Sequence, residues 1–120
     1  MRNAITQFAL CGLALFLLVG SAIAADINGT WNFAFIYQGS GHPRTMTLTV
    51  NGDQVTVKSG EDIMKGTFRN GKLEIAGERF DEEAGYKAAF KLSGTLEGDQ
   101  IKGTATWDTY DLTFTATRVK

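Results

Sequence analysis

The sequence predicts an all-β fold: eight antiparallel strands in an up-and-down meander, closed into a barrel and preceded by a cleaved N-terminal leader. Three observations predict it. Apolar and polar residues alternate with period two along most of the chain, with no helical stripe. Compact turn pairs, Asn51-Gly52, Asn70-Gly71 and Gly98-Asp99, interrupt the alternation, and Asn-Gly readily reaches the positive φ that a type I′ hairpin turn needs. Every connection is short, so consecutive strands pair with one another.

The leader comes first. Arg2 supplies a positive start, residues 9–20 form an uncharged apolar run, and Ala22 and Ala24 stand where a signal peptidase reads small residues. The run falls short of the roughly 18–20 residues that cross a bilayer, so residues 1–25 are expected to be a signal peptide and no membrane segment is expected after cleavage. The only cysteine, Cys11, lies inside this leader with the bulky Leu10 before it, which argues against a lipid-anchored cysteine. Of the 120 residues, removing 25 leaves 95, a single domain over 26–120 without a disulfide. A domain of that size draws its stability from burial and hydrogen bonding.

The strands are expected at 27–37, 44–50, 54–58, 62–69, 72–80, 85–97, 100–108 and 110–119. Residues 38–44, "QGSGHPR", and 81–86, "DEEAGY", are read as the two irregular loops. Alternation sorts the faces. Trp31, Phe33, Phe35 and Tyr37 share one face of the first strand, and Met46, Leu48, Phe90, Leu92, Trp107 and Phe114 extend that face on later strands. Threonines and lysines fill the other. The fourth strand sorts least cleanly, with Met64 and Phe68 inward. Each buried ring removes on the order of 150–250 Å² from water, a gross upper bound of roughly 4–6 kcal/mol at about 25 cal/mol/Å².

Closure follows from this one-sided apolarity. An open meander would leave two edges and an uncovered apolar face, and a barrel removes both. A two-sheet sandwich would need longer crossing connections than the chain has. Closure pairs the first strand with the last, so Trp31 and Arg118 become neighbours. The guanidinium can then lie on the indole and plug that end.

"NGTW" at the start of the first strand and "FTATR" at the end of the last resemble the Gly-x-Trp and terminal-Arg pair of the calycin superfamily, which includes lipocalins, fatty-acid-binding proteins and avidins. The resemblance covers two short end motifs together with the strand count. It implies a lipocalin-like or avidin-like barrel with Trp31 and Arg118 as the structural plug. The chain departs from lipocalins in having no segment for an outer helix. The biotin-binding set of avidins does not match position by position, so biotin binding is not carried over.

Composition narrows the function. Without Arg2 the chain has 11 basic and 13 acidic residues, interspersed, with no basic stripe for nucleic acid and no basic amphipathic helix for a membrane surface. Asn28-Gly29-Thr30 fits a glycosylation sequon, for which chance is the simpler account. His42 is the sole histidine and reads as a solvated loop residue, not a catalytic base. Asp81, Glu82 and Glu83 read as a solvated acidic loop, with neither metal nor cofactor expected. No enzyme is expected.

A small hydrophobic ligand is the expected partner. An eight-strand barrel is either filled by side chains or just wide enough for one such molecule. The bulky inward residues leave little room, so a pocket belongs at the mouth opposite the plug. Strand ends and parity bring Tyr37, Tyr86, Trp107 and Tyr110 there, either as pocket lining or as caps on the core. The alternative is a protein-interaction or enzyme-inhibitor module that offers its loops to a secreted protein partner. The leader places the protein in the periplasm or outside the cell.

Overall fold

The structure, a computed structural model, describes residues 26–120. The expected leader at 1–25, with Cys11, lies outside the described residues. Eight strands follow in order: β1 (Gly29–Tyr37), β2 (Ser40–Asn51), β3 (Gln54–Ser59), β4 (Asp62–Arg69), β5 (Lys72–Asp81), β6 (Tyr86–Glu97), β7 (Gln100–Trp107) and β8 (Tyr110–Arg118). Each pairs antiparallel with the next, and β1 pairs with β8, so the sheet closes into the expected eight-stranded up-and-down barrel.

Turn chemistry sets the hairpins, with two departures from the sequence reading. Asn70 and Gly71 take φ of 54° and 77°, the double positive value of a type I′ turn. At the β2–β3 connection the turn is Gly52-Asp53 instead of Asn51-Gly52. Only Gly52 turns to positive φ, and Asn51 stays in the ladder opposite Gln54. The second departure is larger: "QGSGHPR" is not a loop. Gln38 and Gly39, at φ of 49° and 83°, make the whole turn, and β2 begins at Ser40, four residues earlier than expected. Pro43 is tolerated because this part of β2 pairs with β1 alone; the β3 ladder begins only at Thr47.

The interior is sorted by pleat. Phe33, Phe35, Phe90 and Phe114 are buried and form a chain of ring contacts, with Phe33–Phe114 centroids 5.5 Å apart and Phe35–Phe90 edge-on at 6.0 Å. Met64 joins this core and Phe68 packs at its margin.

One end is closed by the plug. Trp31 stands opposite Arg118 across the β1–β8 seam, with the guanidinium 4.6 Å from the ring centroid. The indole N–H donates to the carbonyl of Ile27 (2.9 Å), and Ile27 is buried beneath the barrel. Gly29, at φ 130°, makes the bend that lets the preceding residues pass under this end. Arg118 donates through Nη1 to the carbonyl of Asn28 and through Nη2 to that of Asp26, both at 2.6 Å. Arg118→Ala removes a cation–π contact and two charge-assisted hydrogen bonds at an exposed site. It is expected to cost about 1–2 kcal/mol, read from the urea midpoint. An unchanged midpoint would mean the N-terminal segment closes the barrel without Arg118.

Candidate functional site

The opposite mouth is open. A cavity of about 330 Å³ enters the barrel there, lined by residues from β1, β2, β5, β6, β7 and β8 and by the β5–β6 turn. Its inner end is apolar, made by Phe35, Phe90 and Leu112.

Rings form one wall. Tyr37 meets Tyr110 edge-on at 5.2 Å, Tyr110 stacks on Trp107 at 6.0 Å, and Trp107 touches Tyr86 at 4.9 Å. The four residues expected at the mouth thus stand in one continuous chain of aromatic contacts. Three of them, Tyr37, Trp107 and Tyr110, line the cavity. Tyr86 does not line it. Its exposed ring backs Trp107 from the rim, and its hydroxyl donates to Asp108 Oδ2. That bond to a carboxylate pushes the phenol up to about 12, so it remains a donor through the ordinary pH range. The Trp107 N–H donates to the carbonyl of Arg79 (2.8 Å) and locks the indole in place.

Charges form the facing wall. Arg44 from β2, Arg79 and Asp81 from β5, and Glu83 from the β5–β6 turn all border the cavity, with His42 beside them. Asp81 Oδ1 accepts from Arg44 Nε at 2.9 Å and from Arg79 Nη1 at 3.2 Å. Arg79 is buried and also donates through Nε to Ser59 Oγ at 2.9 Å. Glu83 Oε1 takes Arg44 Nη2 at 2.8 Å and lies 2.7 Å from His42 Nδ1.

Composition and turn signals do not show these residues as a site, but alternation does. Continuing the inward parity Leu73, Ile75, Gly77 leads to Arg79 and Asp81, and running Val50, Leu48, Met46 backwards leads to Arg44 and His42. The expected strands reach Arg44 and Arg79, and the reading of 38–44 and 81–86 as loops stopped the parity there, short of His42 and Asp81. These charged inward positions are also why room remains inside. Near the plug the inward positions are rings and aliphatic or thioether chains, whereas at the mouth those of β2 and β5 are charged groups drawn toward one another on one side of the barrel.

The network's electrostatics follow from its geometry. Burial works to raise the Asp81 carboxyl, but hydrogen bonds from Arg44, the Ala84 N–H and Arg79 outweigh it and hold the group below the ordinary range. Hydrogen bonds from Arg44 and then His42 lower Glu83. Burial pulls the Arg44 guanidinium down, and its bonds to Glu83 and Asp81 carry it above its usual value. Carboxyls lowered in the folded state add stability that is complete above their unfolded pKa, about 4, and is lost as pH falls through the lower folded values. The expected result is a urea midpoint that declines below about pH 4 in the wild type and less steeply in Asp81→Asn. Parallel declines would mean that the ionised Asp81 carboxyl is held no better in the folded chain than in the unfolded one.

Compared with known proteins, the chain matches no family model, no curated protein and no solved structure. The functional argument therefore rests on the cavity. Among the described residues no group of three or more His, Cys, Asp or Glu side chains is arranged to hold a metal ion.

Proposed function

We propose that the protein is an exported, non-enzymatic, calycin-like barrel that binds one small amphipathic molecule at its open mouth. The observation that carries this reading is the cavity itself, about 330 Å³, with aromatic rings on one wall and guanidinium groups on the other. Ligand pockets run from about 300 to 1,000 Å³ and combine apolar lining with a few placed polar groups. A volume at the lower end of that range suits a compact one- or two-ring molecule better than a long acyl chain. The calycin-like assignment is supported by the closed eight-strand meander and by the Trp31–Arg118 contact. Export is supported by the leader-like residues 1–25.

A loop-presenting inhibitor module has less to stand on, because the "QGSGHPR" segment is mostly ladder and not a displayed loop. The ligand reading is tested by thermal unfolding against a panel of small aromatic amphiphiles. A true ligand at about 100 times its Kd adds about 2.7 kcal/mol, and the midpoint rises by roughly 11–20 °C for a domain of this size. Leu112→Trp, which fills the cavity, is expected to remove the shift. A panel with no effect on the wild type, or a shift that survives Leu112→Trp, refutes binding at this mouth.

A further inference from the structure

The two carboxylates of the mouth are held very differently. Asp81 is 14% exposed, sits on a strand and serves both guanidiniums. Glu83 is 61% exposed, sits on the β5–β6 turn and is held through one oxygen by Arg44 and His42. Next to it, Ala84 lines the cavity, so the segment that carries Glu83 is also part of the rim. We propose that Glu83 is a tethered placeholder, and that the cavity takes an organic monoanion, a carboxylate on a compact aromatic or apolar body, whose head replaces the Glu83 carboxylate on Arg44 and His42.

The proposal rests on the reading of the mouth as a ligand pocket and names the chemistry of its guest. The argument is one of unequal costs. Glu83, mostly in water, loses little on release, because an exposed ion pair contributes little. Arg44 is different. Its side chain is 12% exposed, so the guanidinium cannot be fully hydrated once Glu83 leaves. Asp81 stays on Nε and the Pro43 carbonyl on Nη1, so the position left open is the one Glu83 held at Nη2, and a planar carboxylate suits that arm of the guanidinium. Release of Glu83 leaves Asp81 as the carboxylate hydrogen-bonded to both Arg44 and Arg79, and with nearby Asp62 paired to Lys87 the mouth carries an excess of one positive charge. A monoanion balances it, whereas a neutral or cationic head does not. The apolar body then lies among Phe35, Phe90, Leu112, Trp107 and the Tyr37–Tyr110 pair, on the far side of a cavity only one small molecule wide.

Three probes with the same ring body decide the matter: 2-naphthoate, its isostere 2-naphthamide and the cationic 2-naphthylmethylammonium, titrated by calorimetry into the wild type and into Glu83→Ala. The naphthoate is expected to bind the wild type about tenfold more tightly than the amide, the worth of a charge-assisted hydrogen bond. Glu83→Ala is expected to tighten the naphthoate a further threefold or so by removing the competitor, leaving the amide unchanged. Arg44→Gln should bring the naphthoate down to the amide's affinity, and if that variant does not fold, Glu83→Ala still decides. Equal binding of naphthoate and amide, or preference for the ammonium, overturns the monoanion proposal and leaves the pocket reading intact. Weaker naphthoate binding in Glu83→Ala overturns the placeholder role. No binding of any probe to either protein overturns the pocket reading together with the proposal.

Discussion

Trp31→Ala is expected to lower the unfolding free energy by about 3–5 kcal/mol, the range for truncating a large buried ring. Trp31 is fully buried, and three separate ties converge on it. Its ring fills the plugged end, its N–H satisfies the carbonyl of Ile27, and its face carries the Arg118 guanidinium. Alanine ends all three, so the segment that seats Ile27 loses its anchor as well. Trp31→Phe separates the contributions: it keeps most of the ring and is expected to lose less. Equilibrium urea unfolding measures both. A midpoint that does not move in Trp31→Ala would show that the barrel end is held by something other than this residue.

Gly103→Ala is expected to be comparably damaging, about 3 kcal/mol or more, at the upper end of overpacking effects. Gly103 faces Gly94 directly across the β6–β7 ladder. A Cβ at Gly103 would stand 2.0 Å from the Ser93 carbonyl oxygen and 2.7 Å from Gly94 Cα. Both obstacles are backbone, so no rotamer change relieves them and the two strands would have to separate. The same crowding recurs at Gly66, where a Cβ would stand 2.0 Å from the Glu74 carbonyl oxygen. These glycines permit the close backbone approach of a strongly curved wall. Gly41→Ala is the control, because its Cβ would meet nothing nearer than Ile36 Cδ1 at 3.9 Å. It is expected to stay within about 0.5 kcal/mol of the wild type. Equal midpoints for Gly103→Ala and Gly41→Ala would refute the crowding argument.

Much of the fold is legible in the residues because its signals are local. Alternation in "TWNFAFIY" assigns Phe33 and Phe35 to the interior without knowledge of any partner strand. Asn70-Gly71 specifies its turn by backbone preference alone. Even the Trp31–Arg118 contact, between residues 87 positions apart, follows once closure is assumed, because parity and strand direction leave one place for it. The reading fails at Pro43 and at Asp81, where residue type suggested a loop. Proline and charge do favour loops, but here the missing N–H faces no ladder and the charges find partners. Tyr86 shows the opposite limit. Its parity is inward, yet at the end of β6 the ring is free to lean over the rim and pack on Trp107.

By itself, then, the amino-acid order determined the number of strands, most of their extent, the facing of most side chains and that the two ends of the sheet must meet, since these follow from pleat, turn preference and an apolar face that needs covering. Whether the interior is solid or hollow, and which charges meet inside it, was decided only by the tertiary structure. Arg44 and Asp81 are 37 positions apart, on strands separated by the whole β3–β4 hairpin. They meet because that hairpin is short and turns at Gly60, leaving the upper parts of β2 and β5 to reach each other across the gap through their side chains. Free volume and such a meeting depend on how eight strands of unequal length are arranged around one axis, and no local pattern carries that information.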